Sequence, residues 1–277
     1  MPDRQHIATG TVGPGVAAAL AVAGDAFWSV VSLAETTSTN DVARALAAAG
    51  APEGTVAIAD KQTSGRGRLG RAWHSPSGSG LWCSAVLRPP LPLGQLGPLA
   101  LVVAIAVYRT GLRWRATGLG LKWPNDLVVD GRKVAGILTE AVGGNDTLPP
   151  DYLVVGIGVN VRRPADGFPP PLDQTAVALE DLVDSNCPTA GEFGAAMLTE
   201  LAVVYRTFVA DGFASLQTEW LLANITTGQQ VEVSGSSRGW AGVAETIDGL
   251  GRLVVRCADG NVVAVAAGDV TLSRKGG

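Results

Sequence analysis

The sequence predicts an α+β fold: interleaved strands and helices, followed by a small β-barrel near the C-terminus. Three observations predict it. Strand-like and helical segments interleave over residues 27–226. From Gly228 the texture changes to short alternating strands separated by glycine-containing turns. Between two apolar strand-like segments lies Gly65-Arg66-Gly67-Arg68-Leu69-Gly70-Arg71, a glycine/arginine alternation that punctuates the sheet with a loop. With 277 residues, 47% of them hydrophobic and 17% charged, the chain can bury a large core and is not disordered. The expected organisation is a leader over 1–26, a main domain over 27–226 and the β module over 227–277.

The elements follow in order. Residues 1–24 superficially resemble a signal peptide, with Ala21-Val22-Ala23 as a mock cleavage site. Asp3 offsets Arg4, and Gly13-Pro14-Gly15 interrupts the apolar start, so the segment reads as a helix or disordered leader. Residues 27–34 read as a strand. Thr36-Thr37-Ser38-Thr39-Asn40 supplies capping residues for a helix with Val42, Ala45, Leu46 and Ala49 on one face, stopped by Gly50. Thr55–Asp60 and Leu81–Leu87 are strands flanking the glycine/arginine loop, and Leu96–Thr110 is a buried helix. Leu119–Trp123 is a strand ended by Pro124. Leu127–Val129 pairs with Lys133–Glu140 across Asp130-Gly131. Tyr152–Val161 is a central strand and 163–171 a proline-rich loop, while 173–184 and 189–223 carry helical periodicity. Four C-terminal strands are expected over 230–234, 238–247, 253–257 and 262–266, with Asp248-Gly249 and Asp259-Gly260 as turns.

Charge and cysteine usage narrow the function classes. A formal net charge of −4 argues against a general polyanion binder, because such affinity rests on basic surface. Positive charge is concentrated at 61–71, which suits a small anionic ligand. Cys83, Cys187 and Cys257 are odd in number and lack metal or disulfide spacing, which favours a reducing compartment. No uninterrupted apolar run reaches the ~18 residues of a spanning helix, so no membrane role is expected.

Four clusters carry candidate chemistry. In the loop, glycine permits close backbone approach and arginine supplies a fork of donors matched to phosphate or carboxylate. Standing alone, the run reads equally well as a nucleic-acid-binding tail. Lys122-Trp123-Pro124-Asn125-Asp126 presents a lysine, an amide and a carboxylate at one sheet end. It suits nucleotide phosphates with magnesium on Asp126, or simply a strand-ending turn with a salt bridge. Lys133, in Gly131-Arg132-Lys133-Val134-Ala135-Gly136-Ile137-Leu138, either reaches inward toward an anion or snorkels to solvent. Strand alternation would put Lys133 with Ala135 on one face and Val134 with Gly136 on the other. Ser38-Thr39-Asn40 is either a helix cap or a polar site for a ureido, amide or carboxylate group.

Taken together, these clusters resemble the biotin–acetyl-CoA-carboxylase ligase family, the biotin protein ligases. The resemblance rests on Ser38-Thr39-Asn40, Gln62, the loop at 65–71, Trp73, Lys122-Trp123-Pro124-Asn125-Asp126, Lys133 in its Arg-Lys-Val-Ala-Gly-Ile-Leu run, and Gly156-Ile157-Gly158-Val159-Asn160. It covers residues 27–272 and implies a class II aminoacyl-tRNA-synthetase-like mixed sheet with an SH3-like C-terminal barrel. The implied reaction joins biotin and Mg2+-ATP into biotinyl-5′-AMP, then passes biotin to a lysine of a biotin carboxyl carrier domain of acyl-CoA carboxylases.

The resemblance assigns the biotin head to Ser38, Thr39, Asn40 and Gln62, with Gly65, Arg66, Gly67 and Arg68 as the loop closing over its chain. It puts Lys133 between the biotin carboxylate and the α-phosphate, with Arg66 and Arg68 as further catalytic charges. Lys122, Trp123, Asn125, Asp126, Asn160 and Arg71 are the implied ATP contacts, Asn160 at adenine and Asp126 at Mg2+. His6 and His74 receive no catalytic role. Some relatives carry an N-terminal helix-turn-helix and repress transcription. The roughly 26 residues before the main domain are too few for those three helices, so no DNA binding is expected. A cytoplasmic monomer or weak homodimer is the expected state. The alternatives are a lipoate or octanoate ligase, which needs a more apolar pocket, and a biotin-sensing DNA-binding regulator. The barrel is open to two roles, a structural cap or a second contact for ATP and carrier.

Overall fold

The structure is a computed structural model that describes residues 9–184, 186–234 and 239–272. Its elements are α1 (Val12–Val22), β1 (Ser29–Thr36), α2 (Thr39–Ala48), β2 (Thr55–Gln62), β3 (Gly80–Leu87), α3 (Leu99–Arg113), β4 (Gly120–Lys122), β5 (Asp126–Val129), β6 (Arg132–Val142), β7 (Tyr152–Asn160), α4 (Leu172–Thr175), α5 (Ala190–Asp211), α6 (Ala214–Ala223), β8 (Gln230–Ser234), β9 (Trp240–Ile247), β10 (Leu253–Cys257), β11 (Val262–Val265) and β12 (Asp269–Leu272). Among the described residues the strands form two sheets. One has seven strands in the order β1-β2-β3-β7-β6-β5-β4, and the other five in the order β11-β10-β9-β8-β12. The β1–β2 pair is parallel and the remaining pairs are antiparallel, so the large sheet is mixed.

Burial explains the layering. Alternate residues of β2, β3 and β7 (Val56, Ile58, Leu81, Cys83, Val155, Ile157) join α1, α3, α5 and α6 in one large core. The intervening residues Ala57, Ala59, Val86 and Val154 pack under α2 through Ala43 and Ala47. Since α2 covers only part of that second face, the rest of it is left as a cleft. Helix α3 is apolar almost all round and is buried accordingly, from Leu101 through Val107. At 22 residues α5 is long and apolar enough to cross a membrane. Here it is a core helix, with ten buried side chains or glycines facing α1 and α3. It begins at a capping box, in which the Glu192 amide donates to Thr189 Oγ1 (3.2 Å) and the Thr189 amide to Glu192 Oε2 (2.8 Å). Gly212, at φ 74°, ends it and separates it from α6, so the helical pattern over 189–223 is two helices.

The N-terminal reading as a helix holds over Val12–Val22. Val16 and Leu20 are buried, and Gly13 lies where a Cβ would stand 2.4 Å from Ser32. Asp60 secures the entry to α1, accepting from the Thr11 amide (2.7 Å), Thr11 Oγ1 (2.9 Å) and the Val12 amide (3.0 Å). His6, Asp3 and Arg4 lie outside the described residues, as does the start of the expected strand at Arg238.

Three expectations need correction. The helical pattern over 173–184 resolves into the single turn α4 and a 3-10 turn over Leu179–Leu182, because Ala176–Ala178 run extended beside β6. The C-terminal sheet gains β12, which pairs with β8. Its Asp-Val-Thr-Leu is too short for periodicity to announce. In β6 the expected alternation fails: the register with β5 shifts between Leu127 and Val128, so Val134 is an extra residue. This bulge buries Val134 and Ala135 together in the core and returns Lys133 to the same side as Gly136, whose added Cβ would lie 2.9 Å from Lys133 Nζ. The β5–β6 hairpin itself forms as expected, with Asp130 at φ 48° and Gly131 at φ 77°.

Candidate active site

The open part of the sheet face holds a cleft of about 310 Å3, lined from β2, β3, β5, β6, β7, the start of α2 and the 66–73 loop. Its closed end is polar yet buried. Ser38 precedes α2 in an extended conformation and its hydroxyl does not cap the helix. Ser38, Thr39 and Asn40 are 2%, 3% and 4% exposed, and all three line the cleft. The Thr39 amide donates to Gln62 Oε1 (2.8 Å), and Gln62 Nε2 donates to Ser75 Oγ (2.8 Å). Thr39 Oγ1 lies 2.7 Å from the Ser84 hydroxyl, which donates to Asn40 Oδ1 (2.6 Å). Asn40 Nδ2 donates to Glu140 Oε2 (2.7 Å).

Two facing glycines make the floor. Gly136 and Gly158 are directly paired across β6 and β7, and the Trp73 ring lies on both. A Cβ on Gly158 would stand 2.7 Å from that ring, and one on Gly156 would stand 2.2 Å from Asn40 Oδ1. The Gly-Ile-Gly pattern of β7 is therefore a steric requirement of the cleft. Gly158→Val is expected to lift Trp73 off the sheet and destabilise the fold by ~1–3 kcal/mol, as overpacking does. A thermal melt unchanged from the parent protein would contradict this.

The glycine/arginine loop folds back on itself: the Gly67 amide donates to Arg71 O (2.7 Å) and the Trp73 amide to Gly65 O (2.8 Å). Leu69 sits at the tip with φ 56° and is 62% exposed. Each arginine has its own partner. Arg66 grips Asp41 at 2.7 and 2.6 Å, and this hydrogen-bonded guanidinium holds the Asp41 carboxyl below the usual range. Arg68 donates to Asn125 Oδ1 (3.2 Å) and to Gly268 O (3.1 Å), and Arg71 pairs with Asp269. The C-terminal sheet thus completes the cleft wall through Asp269.

At the cationic end Lys133 Nζ is 2.6 Å from Asp126 Oδ1 and 5.1 Å from the centre of the Trp73 ring. Lys122 pairs in register with Asp126. Burial pushes its ammonium down, while the Asp126 carboxylate pulls it up. Lys122, Lys133, Arg68 and Arg71 are therefore gathered around only two carboxylates, Asp126 and Asp269, an arrangement suited to bound anions.

Four of the expected contacts, Gly65, Lys122, Trp123 and Asn160, do not line the cleft. The Trp123 indole is 1% exposed and donates to Gly251 O (2.9 Å), so it joins the large sheet to the C-terminal one. Asn160 is 5% exposed and its Nδ2 faces the carbonyls of Lys133 (3.2 Å) and Val177 (3.4 Å). His74 is exposed and does not line the cleft. Conversely, Ser84, Glu140, Asp41 and Asp269 were not singled out by sequence reasoning. They lie far in sequence from the residues they touch, and no local pattern marks them. Trp73 enters the sequence reading only through the resemblance, and Gly136 and Gly158 are the signal that its ring lies on the sheet. Among the described residues no group of three or more His, Cys, Asp and Glu side chains could hold a metal ion.

A mixed sheet whose polar, glycine-floored cleft ends in clustered cations defines a small-molecule site built for anions. Comparison with known proteins sharpens this. The model of the biotin/lipoate A/B protein ligase family matches residues 32–160, and that of the biotin protein ligase C-terminal domain matches 226–273. The chain is 33% identical over 256 residues to the biotin–[acetyl-CoA-carboxylase] ligase of Mycobacterium tuberculosis, covering 90% of each. It is 36% identical over 225 residues to the bifunctional ligase/repressor BirA of Bacillus spizizenii, covering 80% of this chain and 68% of that protein. The biotin protein ligase from Aquifex aeolicus, solved with biotin and ATP, superposes with a TM-score of 0.74 at 27% identity, covering 89% of this chain and 99% of the other. The chain belongs to the biotin protein ligase family.

Proposed function

We propose that this chain activates biotin with ATP to biotinyl-5′-AMP and transfers the biotinyl group to a lysine of a biotin carboxyl carrier domain of acyl-CoA carboxylases. The observation that carries the reading is one cleft with two unlike ends. Its buried hydroxyl and amide end matches a neutral ureido head, and its Lys133, Arg68 and Arg71 end, with Lys122 behind it in electrostatic reach of Asp126 and Asp269, matches a carboxylate and phosphates. Family membership and the likeness to a ligase solved with biotin and ATP support it.

In the first step a biotin carboxylate oxygen attacks the α-phosphorus, and the bond to pyrophosphate breaks. Two anions must meet, and their repulsion in a water-poor cleft is offset by fixed positive charge. Lys133 is placed to bridge the carboxylate and the α-phosphate, exchanging Asp126 for the substrates, with Arg66 and Arg68 as the further charges. Ser38, Thr39, Asn40 and Gln62 hold the ureido head, and Gly65 to Arg68 close over the acid chain. Lys122, Asn125, Asp126 and Arg71 face the ATP phosphates. Asn160 would meet adenine only through its exposed edge, and Trp123 acts by anchoring the wall behind the nucleotide. Magnesium would be held by the ATP phosphates with Asp126, the one carboxylate in the motif, and would offset phosphate charge. In the second step the carrier lysine amine attacks the acyl carbon, AMP leaves, and the amine proton passes to solvent.

The same reading makes the protein a cytoplasmic ligase without DNA-binding activity, monomeric or weakly dimeric, whose C-terminal sheet is an SH3-like barrel. Arg68→Gly removes a side chain that ties the loop to Asn125 and Gly268. It is expected to release biotinyl-AMP, read as biotin labelling of a bystander protein such as albumin. Retention equal to the parent protein would count against loop closure.

The reading is tested by incubating the protein with biotin, Mg2+-ATP and a purified carrier domain, with its target lysine intact or changed to arginine. One biotinyl group on the intact domain and none on the arginine form is expected. Mass spectrometry showing no addition, or equal addition to the arginine form, would overturn it.

A further inference from the structure

We propose that Asp41 is a positioning residue that clasps the glycine/arginine loop over the cleft through Arg66, and so keeps the activated acid from leaving before its transfer. The inference rests on the reading of the cleft as an adenylation site and deepens it. Arg66 lines the cleft and Asp41 does not, so Asp41 acts through Arg66.

Asp41 stands in the first turn of α2, where a carboxylate ordinarily reaches back to an amide at the helix start. Among the described residues no helix amide donates to it. Both oxygens instead face the loop: Arg66 Nη1 donates to Oδ2 at 2.7 Å and Nη2 to Oδ1 at 2.6 Å. Such a two-pronged pair fixes the direction of the guanidinium as well as its distance. The pair is also part of a ring. Arg66 Nη2 lies 3.9 Å from Glu140 Oε2, and Glu140 Oε1 accepts from Arg44 Nη2 at 2.6 Å. Arg44 is three residues beyond Asp41 on α2, on the same helix face, and its charge acts on Asp41 as well. Asp41, Arg66, Glu140 and Arg44 thus alternate in sign around a ring anchored on α2 and β6. The loop joins that ring through Arg66.

The loop transmits the hold from one arm to the other. Arg66 pairs with Ala72, and the Gly67 amide donates to Arg71 O at 2.7 Å, so fixing Arg66 restrains both arms. The second arm has a tie of its own, from Arg71 to Asp269 on β12. Removing Asp41 therefore frees the loop on the α2 side and leaves the β12 tie in place. The need for a clasp follows from the chemistry. Biotinyl-AMP is a mixed anhydride that water destroys, so the loop has to stay closed between the two steps. The side chains of Arg66 and Asp41 are 37% and 45% exposed, so water and salt compete with the pair. The effect of losing it is accordingly severalfold and salt-sensitive.

The test compares the parent protein with D41N, which keeps the shape and loses the charge, and with D41E, which keeps the charge. A thermal melt confirms folding of each. Two rates are read: release of biotinyl-AMP from protein loaded with biotin and Mg2+-ATP, and tryptic cleavage after Arg71 without ligand. Cleavage after Arg71 reports loop opening at a residue whose own partner, Asp269, is untouched. Both rates are expected to rise about 3- to 10-fold in D41N, the range for a partly exposed two-pronged pair. D41E recovers most of the loss. The ratio of D41N to parent falls toward one at ~0.5 M salt, which lost packing alone would not do. A parental value of either rate in D41N overturns the proposal, as does a D41E no better than D41N or a ratio indifferent to salt. A parent protein that forms no biotinyl-AMP would instead sink the functional reading, while the tryptic rate, measured without ligand, still decides the clasp.

Discussion

Lys133→Ala is expected to slow biotin-dependent adenylation by about a hundred- to a thousandfold, the ~3–4 kcal/mol that one preorganised donor supplies to a charged transition state. The side chain is positioned by backbone geometry. The β6 bulge turns Lys133 onto the cleft side, and Asp126 and Trp73 hold its ammonium there at 2.6 and 5.1 Å. The fold does not depend on the side chain, since it is about one-third exposed and pairs with Asp126 at the cationic end. Biotin affinity should fall less than kcat, because the charge matters most when carboxylate and phosphate converge. Lys133→Arg should recover little, as a planar fork does not replace a point charge between two oxygens. Near-parental pyrophosphate exchange by Lys133→Ala would remove Lys133 from this role.

Trp123→Ala is expected to cost ~3–5 kcal/mol of stability, the range for emptying a fully buried indole. The residue bridges the two sheets: its amide takes Thr226 Oγ1 (3.0 Å) as acceptor and its Nε1 takes Gly251 O (2.9 Å). Leu121 O also accepts from the Ile225 amide (2.9 Å), so β4 is stitched to the start of the C-terminal sheet at several points. Loss of the indole should lower Tm by roughly 10 °C. Trp123→Phe keeps most of the packing and loses one hydrogen bond, worth about 1 kcal/mol. It also separates two roles. If Trp123 anchors the wall, Trp123→Phe keeps a parental KM for ATP. A KM raised tenfold in a protein of parental Tm would place the indole at the nucleotide instead.

Much of the fold was legible because its signals are local. The Asp130-Gly131 turn, the stop of α2 at Gly50, and the strand runs of β2, β3 and β7 are each written in a few consecutive residues. The clusters at 38–40, 65–68, 122–126 and Lys133 were legible for the same reason, and the cleft gathers most of them. What was not legible depends on residues distant in sequence. The β6 bulge arises from the register that β5 imposes, so period-two reasoning grouped Lys133 with Ala135, whereas the structure groups it with Gly136. Trp123 was read with its neighbours as a nucleotide contact, yet its side chain turns to Gly251, over a hundred residues away. Asp269 and Glu140 belong to segments with no motif of their own. They become visible only when the C-terminal sheet meets Arg68 and Arg71, and when the Glu140 side chain meets Asn40 and Arg44 of α2.

The central claim, adenylation of biotin in this cleft, is tested most directly by exchange of labelled pyrophosphate into ATP with biotin, with lipoate and with neither. The account predicts exchange that requires biotin and is lost in Lys133→Ala. Exchange supported by lipoate alone, or no exchange with either acid, would contradict it.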